Sequence, residues 1–152
     1  MTSFRFPLQK ALDWRRTQLE LAEARLERQL AELAGLDRAR AELQADGIRT
    51  EVEVREYNPL AGRDLTALGN FRLLVKLRQK EIAGRRLECE RELAARKAVL
   101  LEARRSCRLL ERLKERRWGE WQQARDRELE DLAADSYLAR WRPPLPSGNE
   151  IG

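Results

Sequence analysis

The chain has 152 residues, of which 38% are charged and 6% aromatic, and this composition is typical of long helices or a coiled coil. There is no histidine, which excludes the usual general base and the commonest metal ligand. We therefore predict a single non-enzymatic domain with no cofactor and no metal. The net charge of +5 is uneven, since residues 1–60 carry 10 basic and 11 acidic side chains and residues 61–152 carry 21 and 15.

No apolar run approaches the roughly 20 residues that a membrane-spanning helix needs. The N-terminus also lacks a signal-peptide pattern, because no apolar block follows Arg5. The sequence therefore predicts a cytoplasmic protein.

The first predicted helix covers about residues 7–56, and Pro7 suits its first turn. Apolar residues recur along it at a 4-3 spacing, which predicts a left-handed coiled coil. Eight of the eleven positions in this series are apolar: Leu8, Leu12, Arg15, Leu19, Ala22, Leu26, Gln29, Leu33, Leu36, Arg40 and Leu43. After Gly47, β-branched residues alternate with charged ones. A short strand is one interpretation, but a lone strand would have no partner, so a weak last portion of helix is the simpler one.

The clearest break in the helical pattern is Tyr57-Asn58-Pro59-Leu60-Ala61-Gly62. Proline lacks a backbone N–H and disfavours the α conformation in the residue before it. Asparagine and glycine tolerate the conformations of tight turns. We predict a turn at residues 57–63.

The second predicted helix covers about residues 64–141, with Asp64 or Thr66 as its cap. Its first part has an apolar face, and a second 4-3 series begins at Ile82. Eight of the twelve positions in that series are apolar: Ile82, Arg86, Cys89, Leu93, Arg96, Leu100, Ala103, Cys107, Leu110, Lys114, Arg117 and Trp121. The proline-rich residues 142–152 are predicted to be a flexible tail. The predicted fold is all-α: one long antiparallel coiled-coil hairpin over residues 1–141, with an overhanging second helix.

The two arms are unequal in length. Folding about residue 60 leaves Leu113–Trp141 without a partner on helix 1, and this overhang contains Trp118, Trp121 and Trp141. An unpartnered helix with an apolar side favours partner binding. The alternatives are a bend at Gly119 or pairing with a second copy.

Basic residues cluster just before the tryptophans of the second helix. Arginine interleaved with aromatic residues can hold a phosphate backbone and stack bases. Glu111, Glu115 and Glu120 lie among these basic residues and reduce the local positive charge, so nucleic-acid binding is the less favoured interpretation.

The two ends of the chain carry a family resemblance. The opening run Phe4-Arg5-Phe6-Pro7-Leu8-Gln9-Lys10-Ala11-Leu12-Asp13-Trp14-Arg15 is similar to the start of the FliJ family of flagellar type III export chaperones. The segments at 109–117 and 128–133 resemble the second signature of that family. The resemblance covers nearly the whole chain in architecture.

The resemblance implies a stalk that docks into the ring of a FliI-type export ATPase, contacts a FlhA-type export gate protein and can meet other export chaperones. It implies a protein that is monomeric when free and peripheral at the cytoplasmic face of the inner membrane. The ATPase contacts that it implies are Phe6, Leu8, Arg15, Arg16, Arg112, Arg116, Arg117, Trp118 and Trp121. The gate contacts that it implies are Phe71, Leu74, Val75 and Arg78.

Several alternatives stay open at this point, both for the roles of single residues and for the function. Phe71 and Val75 can simply fill the seam, and the arginines can simply be solvated. A structural coiled coil that self-associates through Leu113–Trp141 is the second function, and a basic nucleic-acid binder is the third. The host system can be flagellar or a related injection apparatus.

Overall fold

The computed structural model describes residues 2–56 and 62–141, and in this part of the chain it is an all-α helical hairpin. It contains two helices, α1 (Gln9–Glu56) and α2 (Gly62–Arg140), and no strand among the described residues. The predicted fold class is therefore confirmed. Most of the predicted turn, residues 57–61, and the predicted tail, residues 142–152, lie outside the described residues.

The helix ends differ slightly from the predicted ones. The Gln9 amide donates to the Phe6 carbonyl at 3.1 Å, so α1 starts after Pro7. α2 already begins at Gly62, and the Thr66 hydroxyl donates to the Gly62 carbonyl at 3.0 Å. Asp64 and Thr66 thus both lie inside α2, and the predicted role of either as its cap is wrong. The stretch after Gly47 is helical as far as Glu56, which confirms the simpler of its two interpretations.

The chain divides into two compact units, which we describe separately. The central unit is Trp14–Cys107, and the terminal unit comprises Met1–Asp13 with Arg108–Gly152. In the central unit the helices are antiparallel. As the residue number on α1 decreases, the residue number of its ion-pair partner on α2 increases. The ion pairs that establish this order are Glu51–Arg72 at 2.7 Å, Asp37–Arg86 at 2.8 Å and Glu23–Arg104 at 4.0 Å.

The core of the central unit is a thin seam that follows the predicted 4-3 series. Ala22, Gln29, Cys89 and Leu100 are buried, and most of the leucines between them are half-buried. Exposed ion pairs contribute only about 0–1 kcal/mol each. The seam therefore holds the two helices together, and the ion pairs only assist it.

In the terminal unit, the described residues are 2–13 and 108–141. Leu12 is fully buried and Phe6 is 8% exposed, so the residues that lead into α1 are part of the packing. Thr2 borders a groove with Trp121, Ala124, Arg125 and Glu128.

Part of the predicted overhang, Leu113–Trp141, packs on residues that precede α1, since the Phe4 ring meets Trp118 and Trp121. Every residue from 122 to 141 is nevertheless exposed. At about 1.5 Å per residue, that exposed end is about 30 Å of helix.

Candidate interaction surfaces

Three aromatic rings from the two ends of the chain pack together in the terminal unit. The Phe4 ring meets Trp118 edge to face, with centroids 5.1 Å apart, and lies 6.1 Å from Trp121. Trp118 and Trp121 stack at 5.2 Å, and the Arg125 guanidinium lies 5.6 Å from the Trp121 ring. Each such ring pair is worth about 0.5–1.5 kcal/mol beyond its buried area. The cluster therefore ties the extended N-terminal residues to α2.

A groove of about 590 Å³ lies beside this cluster. Four of the predicted ATPase-contact residues border it: Phe6, Leu8, Arg117 and Trp121. Leu8 remains 43% exposed, whereas Phe6 is buried and can act only as the floor of the groove. Arg117 pairs with Glu120 at 3.7 Å, and Arg5 also borders the groove, so its lining is mostly apolar with two basic side chains and one acidic one.

The other predicted ATPase contacts are distributed differently. Trp118 is 43% exposed, and Arg112 and Arg116 are exposed on the same helix but do not border the groove. Arg15 and Arg16 belong to the central unit, where the Arg15 guanidinium covers the Trp14 ring at 4.9 Å. The structure thus gathers seven of the nine residues in one unit and leaves two in the other.

The predicted gate contacts fall into two pairs. Phe71 and Val75 are half-buried and border a groove against α1 that also includes Gly47. A methyl group on Gly47 would lie 3.9 Å from Val75 Cγ1, which shows how closely the two helices approach there. Leu74 and Arg78 are exposed on α2. Phe71 and Val75 therefore fill the seam, and only the other two are fully accessible to a partner.

Sequence reasoning missed two exposed leucines beside Leu74. Leu73 is 60%, Leu74 51% and Leu77 57% exposed, and they lie within two turns of helix. We call these three residues the leucine patch. The signal was present in the sequence, because a leucine off the 4-3 series has no seam to fill. Phe4 was also missed as a packing residue, although its alternation with Phe6 was visible.

Among residues 2–56 and 62–141, no cluster of histidine, cysteine, aspartate or glutamate could hold a metal ion. In the same residues, neither helix contains a stretch long and apolar enough to cross a membrane. The surfaces described above are suited to protein partners, since they combine exposed apolar side chains with arginine.

Comparisons with protein-family models, with curated proteins and with solved structures each gave no match.

Proposed function

We propose that this chain is a FliJ-type stalk of a type III export apparatus, working at the cytoplasmic face of the inner membrane. Its terminal unit docks into the ring of the export ATPase, and its central unit contacts the export gate. The chain itself performs no chemistry. The proposal starts from the opening and closing motifs of the sequence.

One observation carries the proposal from sequence to structure. The opening motif contributes Phe4, Phe6 and Leu8, the second signature contributes Arg117, and these residues border the same groove, next to Trp121. The two segments that resemble the family thus form one surface, although more than 100 positions separate them in the sequence. An antiparallel hairpin that turns near residue 60 brings these two segments together, and the support for the proposal is that both motifs meet at one groove that is open to solvent.

The surface has the chemistry of a protein-binding site. Interfaces are enriched in tryptophan and arginine, which provide most of the binding free energy as a few central contacts. Trp118 remains 43% exposed, with Arg112 and Arg116 exposed on the turns that precede it. We therefore expect the arginines to meet acidic groups of the ring and the groove to receive an apolar side chain.

The test is the ATPase rate of the cognate FliI-type enzyme with and without this protein. We expect stimulation or hexamer formation with the wild-type chain, and its loss when Arg112, Arg116 and Arg117 are changed to Glu. The matched control changes Arg85, Arg91 and Lys97 to Glu. These residues are exposed on α2 in the central unit and give the same change in charge.

A second variant separates the groove from the charges. Phe4→Ala removes the ring that covers Trp118 and Trp121, so stimulation should fall and tryptophan fluorescence should shift to the red. Equal stimulation by the wild-type chain, the arginine variant and Phe4→Ala would refute the docking surface.

The proposed contact with the export gate is tested by substituting the two predicted gate residues that are exposed. Leu74→Glu and Arg78→Glu should weaken binding to the FlhA-type protein without unfolding the hairpin, because both side chains are exposed. Unchanged binding by both variants would remove the gate from the proposal and leave the ATPase contact to stand alone.

A further inference from the structure

The exposed face of α2 in the terminal unit carries charged residues at matching distances on the two sides of Gly119. Those before Gly119 are basic, and those after it are acidic. Arg112 and Arg108 lie 7 and 11 residues before Gly119, and Asp126 and Glu130 lie 7 and 11 residues after it. Steps of 7 and 11 residues return to nearly the same side of an α-helix. The four charges and the glycine therefore form one stripe, basic at one end and acidic at the other. We call it the charge stripe.

The polarity extends beyond these four positions. Residues 108–117 carry five basic and two acidic side chains, a net charge of +3. Residues 118–135 carry two basic and six acidic ones, a net charge of −4. α2 is a single continuous helix through both segments, so it has a charge gradient along its length.

No side chain of the stripe is used by the packing of the described residues. Arg108, Arg112, Asp126 and Glu130 are all exposed, and a side chain on Gly119 would meet nothing within 4 Å. The rings of Phe4 and Trp121 pack on the opposite side of the helix, since position 121 is rotated about 200° from position 119. A glycine inside a helix costs about 1 kcal/mol relative to alanine, and nothing among residues 2–56 and 62–141 requires one here.

We propose that the charge stripe is a self-association surface for a second copy of this chain. Two stripes that cross antiparallel at Gly119 place Arg112 of each copy beside Asp126 of the other, and Arg108 beside Glu130. The arrangement has two-fold symmetry, so each pair occurs twice. A parallel pairing would put like charges together, which fixes the direction.

The exposed end of α2 gains a partner in this arrangement. Residues 122–141 of one copy lie along the helix that precedes Gly119 in the other, so the acidic segment of each copy lies beside the basic segment of its partner. The interface is long and rich in charge, so its association is weak and sensitive to salt. The chain is thus monomeric in dilute solution at high salt and pairs at low salt and high concentration.

Self-association does not depend on the export role, but the two would compete. Arg112 belongs both to the charge stripe and to the proposed ATPase contact. A paired chain therefore cannot present that arginine to the ring, and pairing would keep the unused protein from docking.

The decisive experiment is sedimentation equilibrium of charge-reversed chains, alone and mixed. The variant Arg108→Glu with Arg112→Glu has an all-acidic stripe, and Asp126→Arg with Glu130→Arg has an all-basic one. Each reversal turns four attractive pairs into repulsive ones, so each variant alone should associate at least about tenfold more weakly than the wild type. An equimolar mixture of the two should form a heterodimer.

Two control variants carry the same charge changes away from the stripe. Arg91→Glu with Lys97→Glu and Glu20→Arg with Glu27→Arg alter exposed residues of the central unit. Both should associate like the wild type. If the controls form the same heterodimer as the stripe variants, or if the mixed stripe variants stay monomeric, the proposed surface is wrong.

Cross-linking tests the symmetry axis independently of charge. Gly119→Cys places a thiol at the crossing point and should oxidise readily to a disulfide-linked dimer. Leu132→Cys is also exposed but lies on the other side of the helix, and it should not. The native thiols of Cys89 and Cys107 are buried and should not contribute. Equal cross-linking at positions 119 and 132 would overturn the proposal.

The all-basic variant also separates this proposal from the proposed function. Asp126 and Glu130 are not among the ATPase contacts, so this variant should lose self-association and still stimulate the ATPase. A wild-type chain that pairs but does not stimulate the ATPase would count against the export role alone, whereas an all-basic variant that still pairs would overturn the charge stripe whatever its effect on the ATPase.

Discussion

Gln29 is the polar residue in the seam whose replacement most directly tests how the hairpin is held together. Its side chain is 6% exposed, and its amide donates to the Cys89 sulfur at 3.1 Å and to the Cys89 carbonyl at 3.4 Å. The Cys89 carbonyl lies inside α2 and has a helical partner as well. Replacing Gln29 therefore leaves no orphaned polar group. We predict that Gln29→Leu stabilises the protein and Gln29→Ala destabilises it.

The magnitudes follow from two opposing effects. Either change loses hydrogen bonds worth about 1 kcal/mol net. Leucine buries the equivalent of about two more methylene groups, at about 0.8 kcal/mol each, and also removes the cost of burying an amide. The expected gain for Gln29→Leu is about 1 kcal/mol. Alanine loses one buried methylene and the whole carboxamide and leaves a gap, so its expected loss is about 2 kcal/mol or more.

The assay is denaturant unfolding followed by far-UV circular dichroism, which compares midpoints and slopes of the three proteins. A shift of 1 kcal/mol corresponds to about 2–4 °C in Tm for a chain of this size. If Gln29→Leu is less stable than the wild type, the hydrogen bonds to Cys89 outweigh apolar packing, and our account of the seam is wrong.

Two further substitutions, one in each unit, test how the helices pack. Leu12 is fully buried in the terminal unit, so Leu12→Ala should lower the free energy of unfolding by about 2–5 kcal/mol. Leu8→Ala, at a 43% exposed position, should lower it by less than about 1 kcal/mol. Equal midpoints of the two variants in chemical unfolding would contradict this. In the central unit, Gly47→Ala should stabilise α1 by about 1 kcal/mol, because the new methyl group would meet Val75 Cγ1 at an ordinary contact distance of 3.9 Å. A lower melting temperature for Gly47→Ala would show that the two helices cannot accept the methyl group.

The fold was predictable because a heptad pattern constrains both the helices and the seam between them. The series from Ile82 to Leu110 is buried or half-buried at every position, including Arg86, whose side chain turns toward Asp37. In the first series the pattern failed at Leu8, which precedes α1, and at Arg15 and Arg40; all three are exposed. A long charged side chain at a seam position can leave the seam for water, and periodicity alone does not show which ones do.

The packing of residues 2–8 was harder to predict, since it does not depend on helical periodicity. These residues lie before α1 and outside any helix, and the contacts of Phe4 with Trp118 and Trp121 depend on ring geometry between distant parts of the chain. The family resemblance nevertheless selected Phe6, Leu8, Arg117 and Trp121, which lie around one groove. It could not separate Phe71 and Val75 from Leu74 and Arg78, because a motif match does not distinguish residues facing the seam from their exposed neighbours.

The separation between seam and outer face indicates where partner specificity resides in this molecule. A two-helix seam uses about two positions in seven, so most side chains are exposed whatever the chain does. A single exposed charge therefore says nothing about partner binding, whereas the leucine patch and the charge stripe do. The exposed leucines on the outer face are not buried by the hairpin. Hydration alone does not require basic residues to precede Gly119 and acidic residues to follow it. We propose that both features serve contacts with other protein surfaces, at different places on the same helix. Substitutions at Leu74 and at Glu130 should consequently leave the unfolding midpoint almost unchanged and alter two different binding equilibria.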